Sequence, residues 1–127
     1  MTSIRVLIVD DMAQVRRDLC TVLPLAGQAA GLEVEVVGEA GNGQEAIQQA
    51  SALQPDVVLM DLEMSVMDGY EATRQIKTRS PGCRVVALTI HGDETVRQQA
   101  SQAGVDDFVV KGAPIDSLIQ ALAKAKE

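Results

Sequence analysis

Short aliphatic blocks alternate along the chain with stretches in which apolar positions recur every three or four residues. Residues 4–9 form an almost unbroken aliphatic run, which reads as a buried strand. Met12, Val15, Leu19, Val22 and Leu23 then recur at helical spacing, and Pro24 is expected to end or kink that helix. Residues 25–32 carry Gly27 and Gly31 and read as a loop or a ragged helical extension. A second strand is predicted over 33–40. Gly41-Asn42-Gly43 signals a turn, and Ala46, Ile47, Ala50 and Leu53 mark a helix that stops before Pro55. The third strand, 57–60, is wholly apolar. Asp68, with Glu71 three residues on, caps a helix running to about residue 78. Ser80-Pro81-Gly82 breaks the chain before a fourth strand over 84–88.

Residues 93–103 predict a polar helix whose core positions are chiefly Val96, Ala100 and Ala103, stopped at Gly104. The fifth strand is 108–110. Pro114 lies near the start of the last helix, which buries a stripe of Ile115, Leu118, Ile119 and Leu122. Asp116 near its start and Lys124 and Lys126 near its end complement the helix dipole. Five such β-α units, with crossovers of this length, imply parallel strands with helices on both faces.

A length of 127 residues fits one domain spanning 1–127, with no linker or repeat in view. Aromatics make up only 2% of residues, so the core must be aliphatic. The formal charge of −7 disfavours direct binding to nucleic acid or an anionic membrane, where Lys and Arg must be in excess. Cys20 and Cys83 are too few for a disulfide framework. No secretory signal and no long apolar span is evident, so a cytoplasmic location is expected.

The polar residues that interrupt this pattern fall at strand ends. Asp10 and Asp11 follow the first strand, Asp61 the third, Thr89 the fourth and Lys111 the fifth. Open parallel sheets bind ligands at that edge. If those strands are neighbours, three carboxylates share one pocket. At about 4 Å and an effective dielectric near 20, each pair of charges repels by about 4 kcal/mol. Such a pocket retains a proton or binds a cation, and oxygen ligands with room for water favour Mg²⁺, or Mn²⁺. With the Lys111 ammonium and the Thr89 hydroxyl, the set makes a receptor for a phosphoryl group. Asp61 stands alone between the other site residues and is the best candidate for a carboxylate nucleophile.

Each residue taken singly has a plainer reading. An Asp pair after a strand is often a helix cap, Thr89 a local cap, Lys111 a surface charge and Phe108 core packing. Their joint occurrence at four strand ends favours the functional reading.

Val6-Leu7-Ile8-Val9-Asp10-Asp11, the segment from Asp61 through Met64 to Asp68-Gly69, Thr89 and Lys111 together resemble the receiver domain of two-component response regulators. The resemblance covers residues 4 to about 124. It implies a flavodoxin-like, doubly wound (βα)5 sandwich with strand order 2-1-3-4-5. Asp61 matches the phosphorylated aspartate, Asp11 a direct metal ligand, Asp10 its acidic neighbour, and the backbone carbonyl of Glu63 a third ligand. Thr89 matches the hydroxyl residue that moves toward the phosphoryl group, Lys111 the lysine that pairs with it, and Phe108 the switch aromatic. The implied donor is a phosphohistidine on a sensor histidine kinase or a histidine phosphotransfer protein. Homodimerisation on phosphorylation and an output in transcription regulation remain open, as does whether the chain is part of a longer regulator.

Two departures stand out. Ser65 replaces a usual proline, and Gly112 follows Lys111 where proline with a cis bond is common, so a cis bond is not expected here. Glu63 and His91 fall at positions that, in the family, flank the phosphoryl site and influence its lifetime. A receiver-like binding module that is not phosphorylated and a metal-dependent phosphohydrolase are the competing functions.

Overall fold

The computed structural model describes residues 2–64 and 66–126; Ser65 lies outside them. The chain alternates β1 (Thr2–Val9), α1 (Ala13–Ala29), β2 (Leu32–Ala40), α2 (Gly43–Leu53), β3 (Val57–Met60), α3 (Gly69–Arg79), β4 (Arg84–Thr89), α4 (Glu94–Ala103), β5 (Asp107–Val110) and α5 (Ile115–Ala123). A single 3₁₀ turn, Lys124–Lys126, follows α5. The strands form one five-stranded sheet in the order β2-β1-β3-β4-β5, with every neighbouring pair parallel. This is the doubly wound order expected.

Alternation along β1 splits the core into two layers. Ile4, Val6 and Ile8 face α1 and α5, meeting Leu23, Leu118, Ile119 and Leu122. Leu7 and Val9 face the other side and pack with Val58, Met60, Ala46, Ile47, Ala72 and Ile76 beneath α2 and α3. The two pairings of β1 leave the carboxyl ends of β1 and β3 level, Val9 opposite Met60. The next residues on those strands are Asp10 and Asp61. Between β1 and β2 the register slips after Val6, which pairs with Val36 while Leu7 pairs with Gly38.

Three expectations need correction. Pro24 does not end the first helix; it sits inside α1, which runs on to Ala29, so of the two readings of the segment after it the helical extension holds. Leu23 is fully buried, and Gly27 packs so tightly on β2 that an added Cβ would lie 2.7 Å from Val34 Cγ2. That packing outweighs a proline penalty of about 3 kcal/mol. Ile115 is exposed rather than part of the buried α5 stripe, because it is the first residue of the helix and the buried positions begin at Leu118. Lys124 and Lys126 lie beyond α5 and bond to Asp107 and Asp56 instead of serving the helix end. The predicted Asp68 cap holds, accepting from Glu71 N at 2.9 Å, and Asp93, expected as the first residue of its helix, is instead its N-cap, accepting from Val96 N at 2.9 Å. The Lys111–Gly112 bond is trans, as are all peptide bonds among the described residues.

Candidate functional site

The carboxyl ends of β1, β3 and β5 deliver Asp10, Asp61 and Lys111 to one rim of the sheet. Asp10 is almost wholly buried. Its Oδ1 accepts from Met12 N at 2.9 Å, at the start of α1, where helix amides favour negative charge. Its Oδ2 accepts from Lys111 Nζ at 2.9 Å. Asp61 is 6% exposed; its Oδ1 accepts from Glu63 N at 3.0 Å, and its Oδ2 lies 3.8 Å from Lys111 Nζ. Lys111 therefore bridges two buried carboxylates. Asp11 is exposed, yet oxygens of Asp10, Asp11 and Asp61 all lie within 4.8 Å of one another.

Local sequence explains why Asp61 is held so closely. Gly69, the first residue of α3, presses on the backbone just after β3: an added Cβ would lie 2.7 Å from Leu62 Cα and clash with Asp61 O. Gly69 N also donates to Leu62 O at 3.1 Å. Only a residue without a side chain lets α3 begin against the loop that follows β3.

Burial raises the Asp61 carboxyl to about 6. The Glu63 amide and the Lys111 ammonium oppose that rise, while the charges of Asp10 and Asp11 add to it. Desolvation and like charge thus disfavour a bare carboxylate here, and a cation relieves both.

Thr89 is fully buried at the last position of β4. Its hydroxyl accepts from His91 N at 3.3 Å, and its carbonyl accepts from Lys111 N at 2.7 Å. Among the described residues it makes no hydrogen bond to Asp61 or to the Lys111 ammonium. Phe108 is half-buried, its backbone paired with Ala87, and its ring carries the Arg97 guanidinium 4.6 Å above the centroid. That Arg97 stacking was not legible beforehand, since nothing in the spacing of α4 marks it. Glu63 and His91 reach across the rim, Oε1 to Nε2 at 3.3 Å. The five strand-end residues thus share one rim: the three aspartates cluster, the Lys111 ammonium pairs with Asp10 and Asp61, and Thr89 meets Lys111 through the backbone alone.

The donor set fits a hard divalent cation: three carboxylates, with Asp11 open to solvent, leave room for water ligands. Beside this cleft, an apolar groove of about 280 Å³ opens between α1 and the β5–α5 loop, lined by Val15, Leu19, Val110, Ala113, Pro114 and Ile115.

An open parallel α/β sheet with an acidic cleft at the carboxyl ends of β1 and β3, beside a lysine that follows β5, defines the doubly wound class with its candidate site where such sheets bind ligands. The family model for the response regulator receiver domain matches residues 6–123, and the chain belongs to that family. Phosphoryl acceptance and conformational switching are typical of it. The response regulator protein VraR of Staphylococcus aureus is 39% identical over 122 residues, covering 96% of this chain and 56% of VraR. The chain thus spans little more than half the length of the curated relatives it matches. Among solved structures, a LuxR-family two-component response regulator from Aurantimonas sp. superposes with a TM-score of 0.84 at 30% identity, covering 97% of this chain and 84% of that one. The response regulator domain of CheB from Thermotoga maritima gives 0.81 at 31% identity, covering 97% and 96%.

Proposed function

We propose that this domain accepts one phosphoryl group on Asp61 from a phosphohistidine of a sensor histidine kinase or a histidine phosphotransfer protein, and that the modification repacks the α4–β5 face to control an output. The observation that carries this reading is the buried Asp61 carboxylate facing Asp10, Asp11 and the Lys111 ammonium in one cleft.

Asp10, Asp11, Asp61 and the backbone carbonyl of Glu63 are the groups assigned to hold Mg²⁺ or Mn²⁺, which when bound neutralises carboxylate and phosphoryl charge. The chain's own residues do the rest. With its carboxyl at about 6, Asp61 is mostly ionised at neutral pH and remains a competent nucleophile. One of its oxygens forms a bond to phosphorus as the donor's P–N bond breaks, and the donor imidazole leaves with the electron pair and takes a proton. The Lys111 ammonium, already within 3.8 Å of Asp61, shifts from the carboxylates to a phosphoryl oxygen. The Thr89 hydroxyl exchanges its His91 contact for the phosphoryl group, and the space it vacates admits the Phe108 ring, which then leaves Arg97. The apolar groove beside α1 is where the donor protein docks. A cytoplasmic location, with transcription as the output, completes the proposal; the resemblance and the LuxR-family neighbour support it.

Mixing the protein with Mg²⁺ and a small acyl phosphate tests this directly. Intact mass should rise by one phosphoryl group, not in Asp61→Asn and not after chelation. No uptake by the wild type supports a binding module instead, and sustained turnover without an adduct supports a phosphohydrolase.

A further inference from the structure

The mechanism above leaves unused an inward-facing cation beside the acidic cleft. Arg16, on the first turn of α1, donates from Nη1 to the main-chain oxygen of Asp10 at 2.6 Å and from Nε to Glu39 Oε1 at 3.1 Å. Its side chain is 21% exposed, so the guanidinium is sewn between the β1–α1 turn and the end of β2 rather than extended into solvent. Gly41 makes the room for it: a Cβ there would lie 3.3 Å from Nη1 and 3.9 Å from Cζ. Asp10 is therefore fixed at four points. Its N–H donates to Ala40 O at 3.1 Å, its two carboxylate oxygens accept from Met12 N and Lys111 Nζ, and its carbonyl accepts from Arg16. Asp11 is different. It is exposed, and among the described residues its carboxylate accepts no hydrogen bond, so its place in the acidic cluster is inherited from the backbone of Asp10.

We propose that Arg16 is a positioning residue for the cation site: it locks the Asp10–Asp11 turn so that the Asp11 carboxylate is presented to the metal, and it raises divalent-cation affinity by preorganisation. This rests on reading the three aspartates as a cation site. Two effects of the guanidinium oppose each other. As a positive charge near three carboxylates it repels a cation, so charge alone predicts tighter binding when it is removed. As an anchor it predicts weaker binding. Glu39, 3.1 Å away, neutralises most of its charge, so the anchoring effect decides the sign. Groups that hold a metal ligand from behind commonly change affinity by about tenfold or more.

The test is Mn²⁺ titration of the whole chain by calorimetry, with metal-free thermal unfolding alongside. Arg16→Met should raise the Mn²⁺ dissociation constant by about tenfold. Arg16→Lys keeps the charge but loses the two-pronged contact, and it should also bind more weakly. Gly41→Ala, which leaves Arg16 in the sequence but crowds its guanidinium, should shift affinity in the same direction by less, and it carries the test if Arg16→Met fails to fold. A purely structural Arg16 lowers thermal stability without moving the dissociation constant; that result, or tighter binding in the variants, overturns the proposal. If wild type and Asp11→Asn both fail to bind Mn²⁺, the cation-site reading itself falls.

Discussion

Asp61 carries a conflict that the rest of the site exists to manage. Its carboxyl is raised to about 6 from an ordinary 3.8, first by burial. A raised carboxyl binds its proton more tightly in the folded chain, so it stabilises the fold below pH 4 and that stabilisation is lost as pH climbs through 6. Above that, the ionised group costs about 3 kcal/mol without metal, at about 1.4 kcal/mol for each pH unit of displacement. Asp61→Asn removes the cost. In chelator, urea unfolding should find the variant more stable than wild type at pH 7.5 by about 3 kcal/mol and equal to it at pH 4. Added Mg²⁺ should narrow the gap at pH 7.5 by relieving the wild type. A variant less stable than wild type at pH 7.5 in chelator would contradict this account. Lys111 shows the same economy of charge, since one ammonium serves both buried aspartates until a cation or phosphoryl group arrives.

At the scale of elements, α4 is anchored only by small side chains. It buries only Ala100 and Ala103, whereas α5 buries Leu118, Ile119, Ala121 and Leu122. Few apolar anchors mean low local stability, which suits the movement proposed for it. Its amides should exchange with deuterium faster than those of α5, and phosphorylation should alter protection across residues 89–125; unchanged protection there would exclude the α4–β5 face as the switch. The weakness of α4 was legible beforehand, because its apolar positions are sparse and small. The span of α1 was not. Pro24 is a local signal for a break, but the burial of Leu23 and the close seat of Gly27 on β2 are long-range facts that no window of sequence contains. Ile115 misled for a related reason: helical periodicity assigns it to the buried stripe, while its place at the helix start leaves it exposed.

For the whole molecule, the β-α rhythm placed Asp10, Asp11, Asp61 and Lys111 one or two residues past aliphatic blocks, so their meeting was legible on the condition that those strands are neighbours; the strand order that meets this condition came from the resemblance to receiver domains. What could not be read are the contacts that fix these groups: Arg16 on the Asp10 carbonyl, Arg97 over Phe108, and Glu63 facing His91. They depend on side-chain reach between neighbouring elements, which periodicity does not encode. The most direct measurement reduces the phosphorylated protein with borohydride, which converts an aspartyl phosphate to homoserine, and locates the new residue by peptide fragmentation. The account predicts homoserine at position 61 alone, formed only when a divalent cation was present during phosphorylation. Homoserine at position 10 or 11, or none despite stable uptake of phosphate, would contradict it.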